Sequence, residues 1–185
     1  MREALKEAQK AYDQAEVPIG AVVVLNGEII GRGYNLREKE QDATLHAEIK
    51  AIRQANQHLG SWRLEDCELF VTLEPCPMCS GAMILARLKK VTFGAFDPKA
   101  GTAGTFMNLL QDERFNHQVE VASWKTNAKR FCRPSSKAFA NAINNVNKKQ
   151  KKHSFPSRRL CFLTFLTKTY NCKRLSALEN CFHFI

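Results

Sequence analysis

Two periods of apolar residues alternate along the first 121 positions. Leu5, Ala8, Tyr12 and Ala15 share one face at helical spacing, which predicts a helix over residues 1–16. "IGAVVVL" (Ile19–Leu25) is an unbroken apolar run of strand length; Asn26-Gly27 is a hairpin signal, and "EIIGRG" supplies the returning strand. A polar loop, "YNLREKEQDAT", precedes a helix from about His46 to Gln57. A strand over Cys67–Leu73 then runs into a helix that starts after Cys76 and continues through "CSGAMILARL". The strand "KVTFGAF", a loop "DPKAGTAG", a short helix near 105–113 and a strand at "HQVEV" complete the regular part. Strands separated by helices predict an α/β fold, a mixed sheet covered on both faces. After Val121 the periodicity collapses, and no internal repeat is present anywhere.

A chain of 185 residues is long enough for one domain with a real core. The charged, amphipathic start is not an apolar leader, and the longest late apolar run, "LCFLTFL", is far short of the roughly 18–20 residues that span a bilayer. No membrane is therefore expected as a partner. Seven cysteines, an odd number, with no secretory signal fit a cytoplasmic, reducing setting and metal or catalytic use of the thiols. The net charge of +10 is unevenly placed. From Ala122 onward nine Lys and five Arg face one acid, Glu179, which leaves 14 basic and 17 acidic residues before it. Residues 1–121 are thus slightly acidic, and the basicity belongs to the tail.

The chemistry is concentrated in "LEPCPMCSGAM" (Leu73–Met83). Cys76 and Cys79, three apart where a strand turns into a helix, suit either a redox pair or two metal ligands. Two buried core cysteines are the plain alternative. Upstream, "HAE" puts His46 and Glu48 at the start of the preceding helix. A lone histidine on a helix is more often packing than ligand, but His46, Cys76 and Cys79 together make three N/S ligands, the number that leaves a zinc ion one open position. Cys67, the only nearby fourth candidate, begins the strand whose far end leads to Cys76, roughly 20 Å away at the strand rise. Zinc would bring water to a pKa of about 7, and Glu48 beside it would accept a proton and return it to a substrate nitrogen. A redox pair has no use for the His–Glu couple. H-x-E followed by P-C-x-x-C is the zinc deaminase signature.

Through these motifs, with "VPIGAVVV", "GRGYN", "FGAFDPKAGTAG" and "NHQVEV", the chain resembles the cytidine-deaminase-like superfamily, most closely its bacterial tRNA adenosine deaminase branch, over residues 1–121. The resemblance implies a three-layer α/β/α fold around a mixed sheet of about five strands. It also implies one zinc ion per subunit, a homodimer, and hydrolytic conversion of adenosine to inosine at wobble position 34 of a tRNA anticodon loop. By the same resemblance, Asn35 bonds the flipped base or its ribose, Asp97 contacts the adjoining nucleotide, and the backbone at Ala47 and Leu73–Glu74 reads the purine edge. Their plain alternatives are a loop cap for Asn35 and a turn former for Asp97. A guanine, cytosine or nucleotide deaminase shares the core motifs. A non-catalytic RNA-binding subunit with a residual zinc fold is the reading from a different class.

Residues 122–185 depart from the branch, which continues there with an amphipathic helix. The same peptide can be back-translated so that a shifted frame encodes such a helix, so a frameshift near Ala122–Ser123 is one expectation. A basic RNA-binding extension through "KKQKK" (Lys148–Lys152) and plain disorder are the others. Met1 reads as a late start. All metal ligands lie before residue 80, so the metal site should outlast an altered tail, with tRNA deamination weak or absent if the tail is as written.

Overall fold

The computed structural model describes residues 1–124. They form α1 (Arg2–Asp13), β1 (Gly20–Leu25), β2 (Glu28–Tyr34), α2 (Ala47–Leu59), β3 (Glu68–Leu73), α3 (Pro77–Leu85), β4 (Lys90–Ala95) and β5 (Glu120–Ser123). The expected short helix at 105–113 is absent; this stretch is turns plus an isolated bridge between Ala103 and Asn108. Its apolar residues serve anchoring and surface roles instead: Leu110 is buried in the core while Phe106 and Met107 are exposed. The tail after Trp124 lies outside the described residues. The sequence boundary at Val121 cuts β5, where Ala122 and Ser123 still pair with Thr92 and Phe93.

The strand order is β2-β1-β3-β4-β5. β1 runs antiparallel to both β2 and β3, whereas β3, β4 and β5 are parallel. The hairpin forms where expected, with Asn26 and Gly27 at φ 51° and 85°, the pair of positive values a tight two-residue turn requires. Alternation along the strands sends Ala21, Val23, Leu69, Val71, Val91 and Phe93 into one core, closed by Ala47, Ala51, Ile52 and Ala55 of α2 and by Cys79, Met83 and Ile84 of α3.

The opposite face carries α1, on a stripe one position away from the expected one. Ala4, Glu7, Ala8 and Ala11 are buried, whereas Tyr12 and Ala15 are exposed. The cause is the closeness of helix and sheet: a Cβ on Gly20 would lie 2.2 Å from the Ala4 carbonyl oxygen and 2.2 Å from the Ala8 nitrogen. Ala4, Ala8 and Ala11 permit that approach, the buried Glu7 is taken up by Lys10 and Arg32, and the larger Tyr12 turns outward. Gly33 does the same for α2, where a Cβ would lie 2.1 Å from the Ala47 oxygen. The glycine thus sets how near the N-terminus of α2 comes to the sheet.

Candidate active site

Two helix N-termini meet beyond the end of β3. His46 is the N-cap of α2 and Cys76 the N-cap of α3, both in extended backbone. Pro77 starts α3 with its φ already helical and without an N–H to satisfy. The following turn brings Cys79 onto the same side as Cys76. His46 Nδ1 lies 3.6 Å from Cys76 Sγ and 3.5 Å from Cys79 Sγ. All three potential ligand atoms fall within 4.8 Å of one another. The expected trio is therefore one cluster, and Cys67, buried in the core, is not part of it.

The electrostatics are those of a cation site. The Cys79 thiol hydrogen-bonds to Cys76 and brings that thiol down to about 4, with His46 adding to the effect. The same bond, together with burial, pushes Cys79 upward. His46 is raised, chiefly by its hydrogen bond to Cys76. Two thiols that share a proton, beside an imidazole nitrogen, form the donor set of a borderline-soft divalent metal ion, which binds by displacing that proton. The free amides of the two helix N-termini add positive potential that favours the thiolate form.

Glu48, in the first turn of α2, is buried. Burial is the main cause that pushes its carboxyl up to about 7, partly offset by its own backbone N–H and by His46. A carboxyl poised near neutrality can both take and give a proton at working pH.

The expected substrate contacts are placed unequally. Ala47 is fully buried between His46 and Glu48. Asn35 directly follows β2 and is also buried, with Nδ2 donating to Glu16 Oε2 at 3.1 Å. Asp97 opens the loop after β4, and its Oδ1 accepts the Lys99 N–H at 2.9 Å, the turn-forming role.

Sequence reasoning passed over two buried carboxylates. Glu74, one residue before Pro75-Cys76, accepts the backbone N–H groups of Asp97 (3.0 Å), Ala103 (3.0 Å) and Thr105 (3.1 Å) as well as the Thr105 hydroxyl. Gly101 makes room for it, since a Cβ there would lie 2.4 Å from the carboxylate. Ser80 and Thr102 tie the same loop to α3 through a 2.8 Å hydroxyl contact, and Thr102 Oγ1 donates to the Pro75 carbonyl at 3.0 Å. Glu16, the second, accepts Asn35 Nδ2 at 3.1 Å and the Lys39 N–H at 2.6 Å. The available signal in the sequence was a lone acid directly before a Val-Pro or Pro-Cys step, which by itself does not separate a buried clip from a surface charge.

A mixed five-stranded sheet with a His/Glu helix start facing two thiols of the next strand–helix turn defines the class: a cytidine-deaminase-like fold carrying a metal-ion site. The chain belongs to the MafB19-like deaminase family, whose profile matches residues 1–153. It is 64% identical over 123 residues to the tRNA-specific adenosine deaminase of Bacillus subtilis (strain 168), covering 66% of this chain and 76% of the relative. A solved structure from work on A-to-I editing by tRNA:A34 deaminases at the wobble position of transfer RNA superposes with a TM-score of 0.64 at 43% identity, over 66% of this chain and 95% of that one. Guanine deaminase from Bacillus subtilis superposes with a TM-score of 0.50 at 27% identity, over 94% of both chains.

Proposed function

We propose that this chain deaminates adenosine to inosine at the wobble position of a tRNA anticodon loop, with one zinc ion held by His46, Cys76 and Cys79. The observation that carries the reading is the meeting of one imidazole nitrogen, two sulfurs and the buried Glu48 at two helix N-termini, in a chain 64% identical to a tRNA-specific adenosine deaminase. Tetrahedral zinc at about 2.05 Å from nitrogen and about 2.3 Å from sulfur separates those atoms by about 3.6 Å, and the N–S distances here are 3.5 and 3.6 Å. The residues therefore fit the ion.

Zinc, when bound, supplies the Lewis acidity that makes water a nucleophile near neutral pH. Glu48 takes one proton from the water and delivers it to adenine N1 as the C6–O bond forms, then takes the second from the new C6 hydroxyl and passes it to the amine as the C6–N6 bond breaks, leaving a C6 carbonyl and ammonia. Ala47, between ligand and acid, presents backbone to the purine edge, as does the Leu73–Glu74 segment. Asn35 holds the target nucleotide and Asp97 its neighbour. The adenosine has to be splayed from its stack to enter, which costs least in an unpaired loop.

Exposed apolar side chains, among them Leu85, Phe96, Phe106 and Met107, support a homodimer. A tRNA substrate puts the enzyme in the cytoplasm; no helix among the described residues is long and apolar enough to cross a membrane. Residues 1–121, with Ala122 and Ser123 completing β5, form the deaminase unit of this proposal, and resequencing the gene decides whether the basic sequence beyond them arose by frameshift.

The likeness to guanine deaminase, at 27% identity, favours a second reading, deamination of a free base. Incubating the zinc-loaded protein with an anticodon stem-loop, guanine, cytosine and free nucleosides separates the two. Inosine in the stem-loop alone supports the tRNA reading, and xanthine from guanine overturns it.

A further inference from the structure

Glu16 is 1% exposed, and among the described residues no Lys or Arg side chain pairs with it. A buried carboxylate without a cation needs N–H donors instead, and two supply it: Lys39 N to Oε1 at 2.6 Å and Asn35 Nδ2 to Oε2 at 3.1 Å. Its own place is fixed by the end of α1, where Glu16 N donates to the Ala11 carbonyl and Ala15 N to the Tyr12 carbonyl, each at 3.0 Å. Asn35 is held at its backbone as well, with its N–H on the Ile19 carbonyl at 3.1 Å.

This arrangement decides the polarity of Asn35. A carboxylate only accepts, so the amide NH2 has to face Glu16 and Oδ1 has to face away. Oδ1 has no partner among the described residues. It is not sealed in either, since the only fully enclosed side-chain N or O atom there without a partner is Asn56 Oδ1. The side chain therefore keeps an acceptor free for a ligand. An adenosine inside an RNA chain has two kinds of donor, the N6 amine that leaves during the reaction and the ribose 2′-hydroxyl.

We propose that Glu16 is a positioning residue that locks the Asn35 carboxamide with Oδ1 outward, as the acceptor for the 2′-hydroxyl of the target nucleotide. The inference rests on the reading of Asn35 as a substrate contact. It makes the preference for ribose depend on a residue that never touches the nucleotide.

Glu16→Gln tests it by reversing the polarity. The Lys39 N–H is a fixed donor, so the new carboxamide turns its oxygen there and its NH2 toward Asn35. Asn35 then flips and presents NH2 to the site. A stem-loop with 2′-fluoro-2′-deoxyadenosine at the target position has an acceptor in place of the hydroxyl and cannot donate. The expected result is that wild type prefers the hydroxyl substrate several-fold, up to about tenfold in kcat/KM. In Glu16→Gln and in Asn35→Ala the preference falls toward one, and the double variant shows no further fall. A merely structural role for Glu16 would slow both substrates equally and keep the ratio. Melting temperature and zinc content confirm the fold of each variant. A wild-type ratio near one overturns the hydroxyl contact; a wild-type ratio retained in Glu16→Gln but lost in Asn35→Ala overturns the positioning. Dissociation constants for the two stem-loops give the same ratio without turnover, so failure of the deaminase reading is distinguishable from failure of this one.

Discussion

The Glu74 carboxylate accepts the backbone N–H of Asp97 at 3.0 Å, so the residue beside the Pro-Cys step holds the loop that borders the site. Four donors converge on this one side chain, three of them backbone amides. Glu74→Gln keeps the volume but leaves a single acceptor oxygen and places an NH2 against amide donors. Hydrogen bonds to a charged group contribute about 1.5–3 kcal/mol, and a loss of roughly that size is expected in a urea titration. Amide exchange at Asp97, Ala103 and Thr105 should speed up well beyond that in β1 and β3. Unchanged exchange in the loop would show that Glu74 does not organise it.

Glu48 and the ligand trio should separate cleanly. Glu48→Gln is expected to lower inosine formation by about 10²–10⁴-fold, the span of general acid–base contributions, with one zinc per chain still measured by elemental analysis. Cys79→Ala is expected to lose both metal and turnover. Chelation of the wild-type protein should abolish activity, and added zinc should restore it.

The buried Glu48 predicts a pH dependence of the metal-free protein. Its carboxyl rises from 4.5 to about 7 on folding, so the native state binds its proton more tightly than the unfolded chain. The stability this gives is fully present below about 4.5 and is lost as pH rises through about 7. Urea midpoints of the chelated protein should therefore fall more steeply between pH 5 and 8 in wild type than in Glu48→Gln. Equal slopes would contradict the assignment.

Ala15 sits in the left-handed region at φ 61°, just past the end of α1, where it completes the cap that aims Glu16. A Cβ there costs about 1–2 kcal/mol, offset in part by the extra freedom glycine has when unfolded. Ala15→Gly should stabilise by about 0.5–1 kcal/mol and raise the melting temperature by about 1–4 °C, with activity unchanged. A fall in stability would mean that the turn is held by something other than this cap.

Much of the fold was legible because its signals are local. The unbroken run at Ile19–Leu25, the Asn26-Gly27 turn and the strand before Cys76 each carry their period or turn chemistry in a few adjacent residues. The trio of His46, Cys76 and Cys79 could be read in the same way, since each sits at the start of a helix and the two cysteines have one-turn spacing. The helical face of α1 was misjudged by one position, because periodicity cannot weigh Leu5 and Tyr12 against alanines that alone fit over Gly20. The short helix near 105–113 was misread because Leu110 is buried for reasons that lie in the core it reaches.

The sequence by itself determined the order of elements as far as β4 and the residue types of the His46, Cys76 and Cys79 cluster with Glu48 beside it, because each depends on residue identity at short spacing. Tertiary structure alone decided that Glu16 faces Asn35 and that Glu74 faces Asp97, partners 19 and 23 positions apart. A carboxylate becomes a clip only when burial removes water and brings N–H donors from another segment to its oxygens. No local pattern contains that information.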